Sequence, residues 1–170
     1  MLKVTPLTPS IGAIISEVSL NKDLNSDTIE QIYSALIKHQ VVFFRDQNIS
    51  PESHLKLAES LGEIDPGHPV YPHVEGHQSI VLLKNDANNR PDTNDWHKDL
   101  TFKPNPPFAS ILHGVKVPKV GGDTLWASMS AAYDKLPNGW KEHLEELEAI
   151  HDMGTFRNDF YKEGGIDSVN

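Results

Sequence analysis

"TNDWHKDLTF", residues 93–102, sets a histidine and an aspartate two positions apart among large apolar side chains. A solvated loop has no need of Trp96, Leu100 and Phe102 so close together, and a core strand avoids an ionisable pair. On a strand, residues two apart share a face. His97 and Asp99 are therefore expected to project together, about 6–7 Å apart along the backbone, with Lys98 facing the other way. A neutral imidazole with a carboxylate suits a borderline metal such as Fe(II). Two His and one carboxylate on one face of an octahedron leave three positions open for substrates. The alternative reading is a hydrogen-bonded His-Asp pair at a strand end, because short motifs also recur by chance.

Composition narrows the classes around this pair. The 170 residues carry 38% hydrophobic and 23% charged side chains, which fits one globular domain over residues 1–170 and not a disordered chain. Of the formal charge of −9, residues 141–170 hold −5, from eight acids against three bases. No run of Lys or Arg offers a stripe for phosphates, so nucleic acid is not expected as a partner. The absence of cysteine removes disulfides and thiolate metal sites and fits a reducing compartment. Residues 1–20 lack the charged start, long apolar stretch and cleavage site of a signal peptide, and no segment approaches the ~20 apolar residues that span a bilayer. The expectation is a cytoplasmic chain with no membrane partner, free to form a homo-oligomer.

Along the chain, Pro6, Pro9 and Gly12 break the first twenty residues into short strands joined by a turn. Ile29, Ile32, Leu36 and Ile37 recur at helical spacing behind Ser26 or Asp27 as cap. "VVFFRDQ" (41–47) reads as a strand. Ser50 as N-cap, Pro51 at the first helical position and Gly62 as stop predict a helix over 51–61. Residues 63–76 read as loop, "SIVLLK" (79–84) and "FASILHGVKV" (108–117) as strands, and "GG" at 121–122 as a turn needing positive φ. "LPNGWKEHLEELEAIHD" (136–152) predicts an amphipathic helix with Trp140, Leu144, Leu147 and Ile150 on one face. Strands and helices mix without a regular β-α-β rhythm, so the expected class is α+β or mainly β.

"WHKDLTF", "PPFASIL", "GGDTLW", "AAYDKLP" and the "HD" at 151–152 together resemble, in order and spacing, the taurine dioxygenase family of Fe(II)- and 2-oxoglutarate-dependent oxygenases. The resemblance implies a double-stranded β-helix, a cupin-like jelly-roll with flanking helices. It implies His97 and Asp99 as iron ligands, and Thr124 as the residue whose hydroxyl bonds a carboxylate of 2-oxoglutarate. His68 and Tyr71 in "HPVY" fall in a stretch that shapes the sulfonate pocket of taurine-using members, and Thr155 and Phe156 resemble a pair lining the same pocket. Where those members place an Asn just before Trp-His, this sequence has Thr93, with Asn94 one position later; both become candidate substrate contacts, and Thr93 weakens the case for taurine itself. The cofactors implied are Fe(II), 2-oxoglutarate as cosubstrate, and O2.

In the family a third iron ligand, a His, and an Arg pairing with 2-oxoglutarate lie far downstream, beyond Asn170. His143 sits in a predicted helix and His113 in a predicted strand, so neither is expected to replace that ligand. The expectation is an incomplete domain with its C-terminal part missing, inactive by itself. The resemblance implies oxygenation of a small anionic substrate, taurine or a related sulfonate, with release of sulfite, succinate and CO2. Two alternatives within the fold are a non-catalytic remnant or binding module, and a dioxygenase acting on an alkyl sulfate or small carboxylate. A third reading, a zinc hydrolase, rests on His68, His73 and His77 in "HPVYPHVEGH", which lacks the helix that would fix such spacing.

Overall fold

The computed structural model describes residues 2–67, 71–86 and 96–152. The chain forms two compact units: one joins Met1–Glu63 with Leu112–Leu147, and the other is built on Ile64–Ile111.

In the first unit, strands β1 (Lys3–Pro6) and β2 (Ala13–Ser16) pair antiparallel, from Lys3↔Ser16 to Pro6↔Ala13. The connecting turn closes on Thr8, whose hydroxyl accepts from Ile11 N at 3.0 Å and donates to Ile11 O at 2.6 Å. Gly12 leaves the turn at φ 88°, a conformation open to a residue without Cβ. Strand β3 (Val42–Phe43) joins parallel to β2, and only two residues of the expected 41–47 segment pair.

Helix α1 (Ser26–His39) turns Ile32 and Ala35 inward, and it packs against β2, β3 and helix α2 (Pro51–Leu61). Its cap is Asn25 and not Ser26 or Asp27: the Asn25 side chain accepts from Thr28 N at 2.9 Å. The periodic pattern locates the helix to within a residue or two, but only backbone geometry selects among three adjacent capping residues. α2 matches expectation at both ends, with Ser50 accepting from Ser53 N and Gly62 following Leu61. The buried core is Ala13, Ile15, Leu20, Ile32, Ala35, Ile49 and Leu57, all in this first stretch.

The same unit takes up Leu112–Leu147 with much less burial. Helices α3 (Met129–Asp134) and α4 (Asn138–Glu145) contain no buried residue. They are tied through side chains: the Tyr133 hydroxyl donates to Glu145 Oε1 at 2.6 Å, and Lys141 Nζ donates to the Asp134 backbone carbonyl at 3.0 Å. The expected helix over 136–152 ends at Glu145, leaving Leu147 56% and Ile150 97% exposed. An amphipathic face holds helix only while it is buried against something, and beyond Leu144 this one is mostly exposed. The expected strand over 108–117 is absent for a related reason: a strand needs a hydrogen-bonding neighbour, and no described segment pairs with it. The "GG" turn is present, with Gly121 at φ 77° and Gly122 at φ 73°.

The second unit carries a hairpin. Strand β4 (His73–Val74) lies in the segment expected as loop, and β5 (His77–Val81) starts two residues before the expected strand and ends earlier. Gly76, at φ 76°, supplies the tight reversal that permits pairing of Val74 with His77. Among the described residues, no helix is long and apolar enough to cross a membrane.

Candidate metal centre

His97 and Asp99 converge, but by a route different from the expected one. Residues 96–98 form no helix or strand, and 99–105 form a succession of turns and bends. Leu100 sits at φ 50°, and Lys103 N donates to Leu100 O at 3.1 Å. Strand alternation therefore does not place the pair. Pro104, Pro106 and Pro107 lack the N–H groups that a ladder needs, and the positive φ at Leu100 breaks the pleat. The turn draws the side chains closer than a shared strand face would: His97 Nε2 lies 3.3 Å from Asp99 Oδ1, with both side chains 56% exposed.

That distance fits a pair of metal donors. With metal–ligand bonds of about 2.1 Å, neighbouring positions of an octahedron lie about 3 Å apart. The same distance also suits an ion pair of a protonated His97 with Asp99. An imidazole nitrogen and a carboxylate oxygen are also the hard-to-borderline donors that Fe(II) accepts. Asp99 has further support, since its second oxygen, Oδ2, accepts from the Ser110 hydroxyl at 3.0 Å. Among the described residues, no group of three or more His, Asp or Glu side chains is placed to hold a metal, so the described donor set is two.

A second arrangement in the same unit holds the chain that leads to the candidate substrate stretch. Asp65 Oδ1 accepts from Gly67 N at 3.3 Å, and Asp65 Oδ2 pairs with Lys103 Nζ at 2.5 Å. Gly67 is needed there: at φ 109°, an added Cβ would sit 2.6 Å from Gln78 O. The hairpin is fastened close by, with Leu82 N donating to Pro72 O at 2.7 Å. Asp65 is thus tied to Lys103, four positions beyond Asp99, while Gly67 packs closely against Gln78 of β5.

Of the other sequence candidates, Tyr71 is half-buried at the entrance to this hairpin, and Thr124 lies exposed in the first unit. His68, Thr93, Asn94, Thr155 and Phe156 lie outside the described residues. His73 and His77, from the zinc reading, occupy β4 and β5; their companion His68 lies outside the described residues too. His113 stacks edge-on against His54 of α2, ring centroids 6.4 Å apart, which is a packing role. Sequence reasoning missed Ser110, Asp65 and Lys103. A serine eleven positions past an aspartate obeys no spacing rule, and neither does an Asp-Lys pair thirty-eight apart.

A donor pair of this kind, on a turn within a chain of mixed strands and helices, makes a candidate metal site, and comparison with known proteins gives the family. The family model described as "Taurine catabolism dioxygenase TauD, TfdA family" matches residues 3–167, and the chain belongs to that family. It is 41% identical over 151 residues, 88% of its length, to an alpha-ketoglutarate-dependent sulfate ester dioxygenase of Pseudomonas putida, of which it covers 49%. It is 39% identical over 151 residues, again 88% of its length, to an alkylsulfatase of Acinetobacter baylyi, of which it covers 47%. The crystal structure of a taurine dioxygenase from Burkholderia xenovorans superposes with a TM-score of 0.75 at 37% identity, covering 85% of this chain and 51% of that one. The chain spans about half the length of the curated relatives it matches.

Proposed function

We propose that this chain carries the first two iron ligands of an Fe(II)- and 2-oxoglutarate-dependent oxygenase whose substrate is a small alkyl sulfate. The observation that carries the reading is the 3.3 Å approach of His97 Nε2 to Asp99 Oδ1 inside the family's own motif. Residues 1–170 are read as one portion of a jelly-roll oxygenase domain. Thr124 binds the cosubstrate, and His68, Tyr71, Thr93, Asn94 and Phe156 border the substrate.

Iron with 2-oxoglutarate and O2 supplies the oxidising power. This chain's residues hold and orient: His97 and Asp99 offer two adjacent donors, and imidazole and phenol groups offer directional hydrogen bonds to an anionic head group. Hydroxylation of the carbon that bears the ester oxygen leaves a hemiacetal sulfate. It collapses to an aldehyde and sulfate, while 2-oxoglutarate becomes succinate and CO2. Two relatives that are about two-fifths identical to this chain over 151 aligned residues are named for sulfate esters, and Thr93 stands where taurine users place Asn. These two points favour an alkyl sulfate. The second reading, a sulfonate such as taurine with release of sulfite, rests on the similarity to the solved taurine dioxygenase.

The test is anaerobic addition of Fe(II) and 2-oxoglutarate to this chain and to the native protein purified from its host. The readout is the weak visible charge-transfer band of the chelate. The expected band is lost in His97→Ala and Asp99→Ala, and hexyl sulfate perturbs it more than taurine does. A band indifferent to both substitutions sinks the assignment. A perturbation by taurine alone moves the substrate to the sulfonates.

A further inference from the structure

We propose that Ser110 is a positioning residue of the metal centre, a hydroxyl that turns Asp99 into a one-oxygen ligand. The proposal rests on the iron-oxygenase reading above and deepens it. A carboxylate has two oxygens, either or both of which can bind a metal. In Asp99 the two are differentiated: Oδ1 faces His97 Nε2 at 3.3 Å, while Oδ2 accepts from Ser110 Oγ at 3.0 Å. The distinction matters because Asp99 has little else to hold it. Its side chain is 56% exposed, its backbone lies in a turn beside a positive-φ leucine, and no strand neighbour brackets it.

Ser110 reaches it from eleven residues downstream, after a segment in which Pro104, Pro106 and Pro107 fix three backbone φ angles. The hydroxyl is thus presented by a stiffened stretch of chain, which lowers the entropy lost in forming the bond. Coordination arithmetic gives the bond its purpose. Two histidines and one carboxylate oxygen leave three positions on an octahedral metal, two for a chelating 2-oxo acid and one for O2. An Asp99 free to bind through both oxygens would take one of the three. Ser110 engages one lone pair of Oδ2 and so would bias that oxygen away from the metal, leaving Oδ1, beside His97 Nε2, as the oxygen that would bind it. Outer partners of this type are worth about 10–100-fold in metal affinity.

The probe is Mn(II), followed by the electron-paramagnetic-resonance signal of the free ion, on this chain with no cosubstrate. Ser110→Ala is expected to weaken the Asp99-dependent affinity about 10–100-fold. Ser110→Thr keeps the hydroxyl and is expected to stay within a few-fold of the parent, whereas the nearly isosteric Ser110→Val falls with the alanine variant. The Thr/Val comparison holds even if the alanine variant folds poorly. A second readout is the infrared carboxylate splitting assigned by difference against Asp99→Ala, which should narrow on metal binding in Ser110→Val as Oδ2 joins the coordination. Equal affinity in the Thr and Val variants, or an unchanged splitting, overturns the role of Ser110 alone. If the parent binds Mn(II) no more tightly than Asp99→Ala does, the metal reading itself fails and takes this proposal with it.

Discussion

At the scale of single residues, the half-buried pair of Asp65 and Lys103 is the interaction whose loss should be felt most. Their side chains are 28% and 32% exposed. Lys103→Ala strands a carboxylate that also orders Gly67, and it should cost about 1–2 kcal/mol, between the values for surface and for buried pairs. Urea denaturation of both single variants and the double variant checks this, the double losing less than the sum of the singles. The exposed pair of Asp23 and Lys56, 2.8 Å apart, behaves differently. Its hydrogen bond and the facing charge hold Asp23 below its ordinary 3.8 and raise Lys56 above its ordinary 10.5. A lowered carboxylate stabilises above its unfolded value and loses that contribution as pH falls; a raised ammonium stabilises below its unfolded value and loses it as pH rises. The pair therefore acts between those two values. Both groups are solvated, so Asp23→Asn should shift the melting temperature slightly at low salt and neutral pH, and the difference should vanish in about 1 M salt, where charges are screened beyond ~3 Å. A shift that survives high salt would mean the residue does more than pair.

Among elements, those legible in the sequence were the ones whose signals are local. α2 has its N-cap serine, N1 proline and terminal glycine within one span, and all three sit where expected. α1 is equally clear by periodicity, yet its cap falls on Asn25. Asn25→Ala should cost about 1 kcal/mol and Asn25→Asp close to nothing, measured by thermal or chemical unfolding; an equal loss in both would assign the effect to something other than the cap. The strand expected over 108–117 and the long helix over 136–152 were misread because their apolar patterns presume a covering layer. Periodicity reports which face would be buried, not that anything buries it. The β4–β5 hairpin was missed in the opposite sense, since only Gly76 announces a pairing two residues long.

For the whole molecule, burial is concentrated at one end of the sequence. Among the described residues every core residue precedes Glu63, whereas Val115, Val120, Leu125, Met129 and Trp140 are each more than half exposed. Exposed apolar surface of this kind binds hydrophobic dyes and favours association. This chain should enhance the fluorescence of anilinonaphthalene sulfonate at neutral pH without denaturant. Paired charge substitutions at Val115 and Val120 should reduce both dye binding and any concentration-dependent sedimentation. An unresponsive dye would indicate that these side chains are covered in solution.

The sequence by itself determined the family, the two-residue spacing of His97 and Asp99, and the helices α1 and α2. Each of these depends on residue types at fixed short spacing, which the covalent chain preserves whatever it packs against. Tertiary structure alone decided how the pair converges, through the turn at Leu100 and not along a strand. It also decided that Ser110 secures one oxygen of Asp99, and that Asp65 and Lys103 tie the chain before Tyr71 to the motif. Those partners lie eleven and thirty-eight positions apart. No local propensity encodes contacts at such separations, because they form only after the intervening chain has paid the entropy of closing its loops.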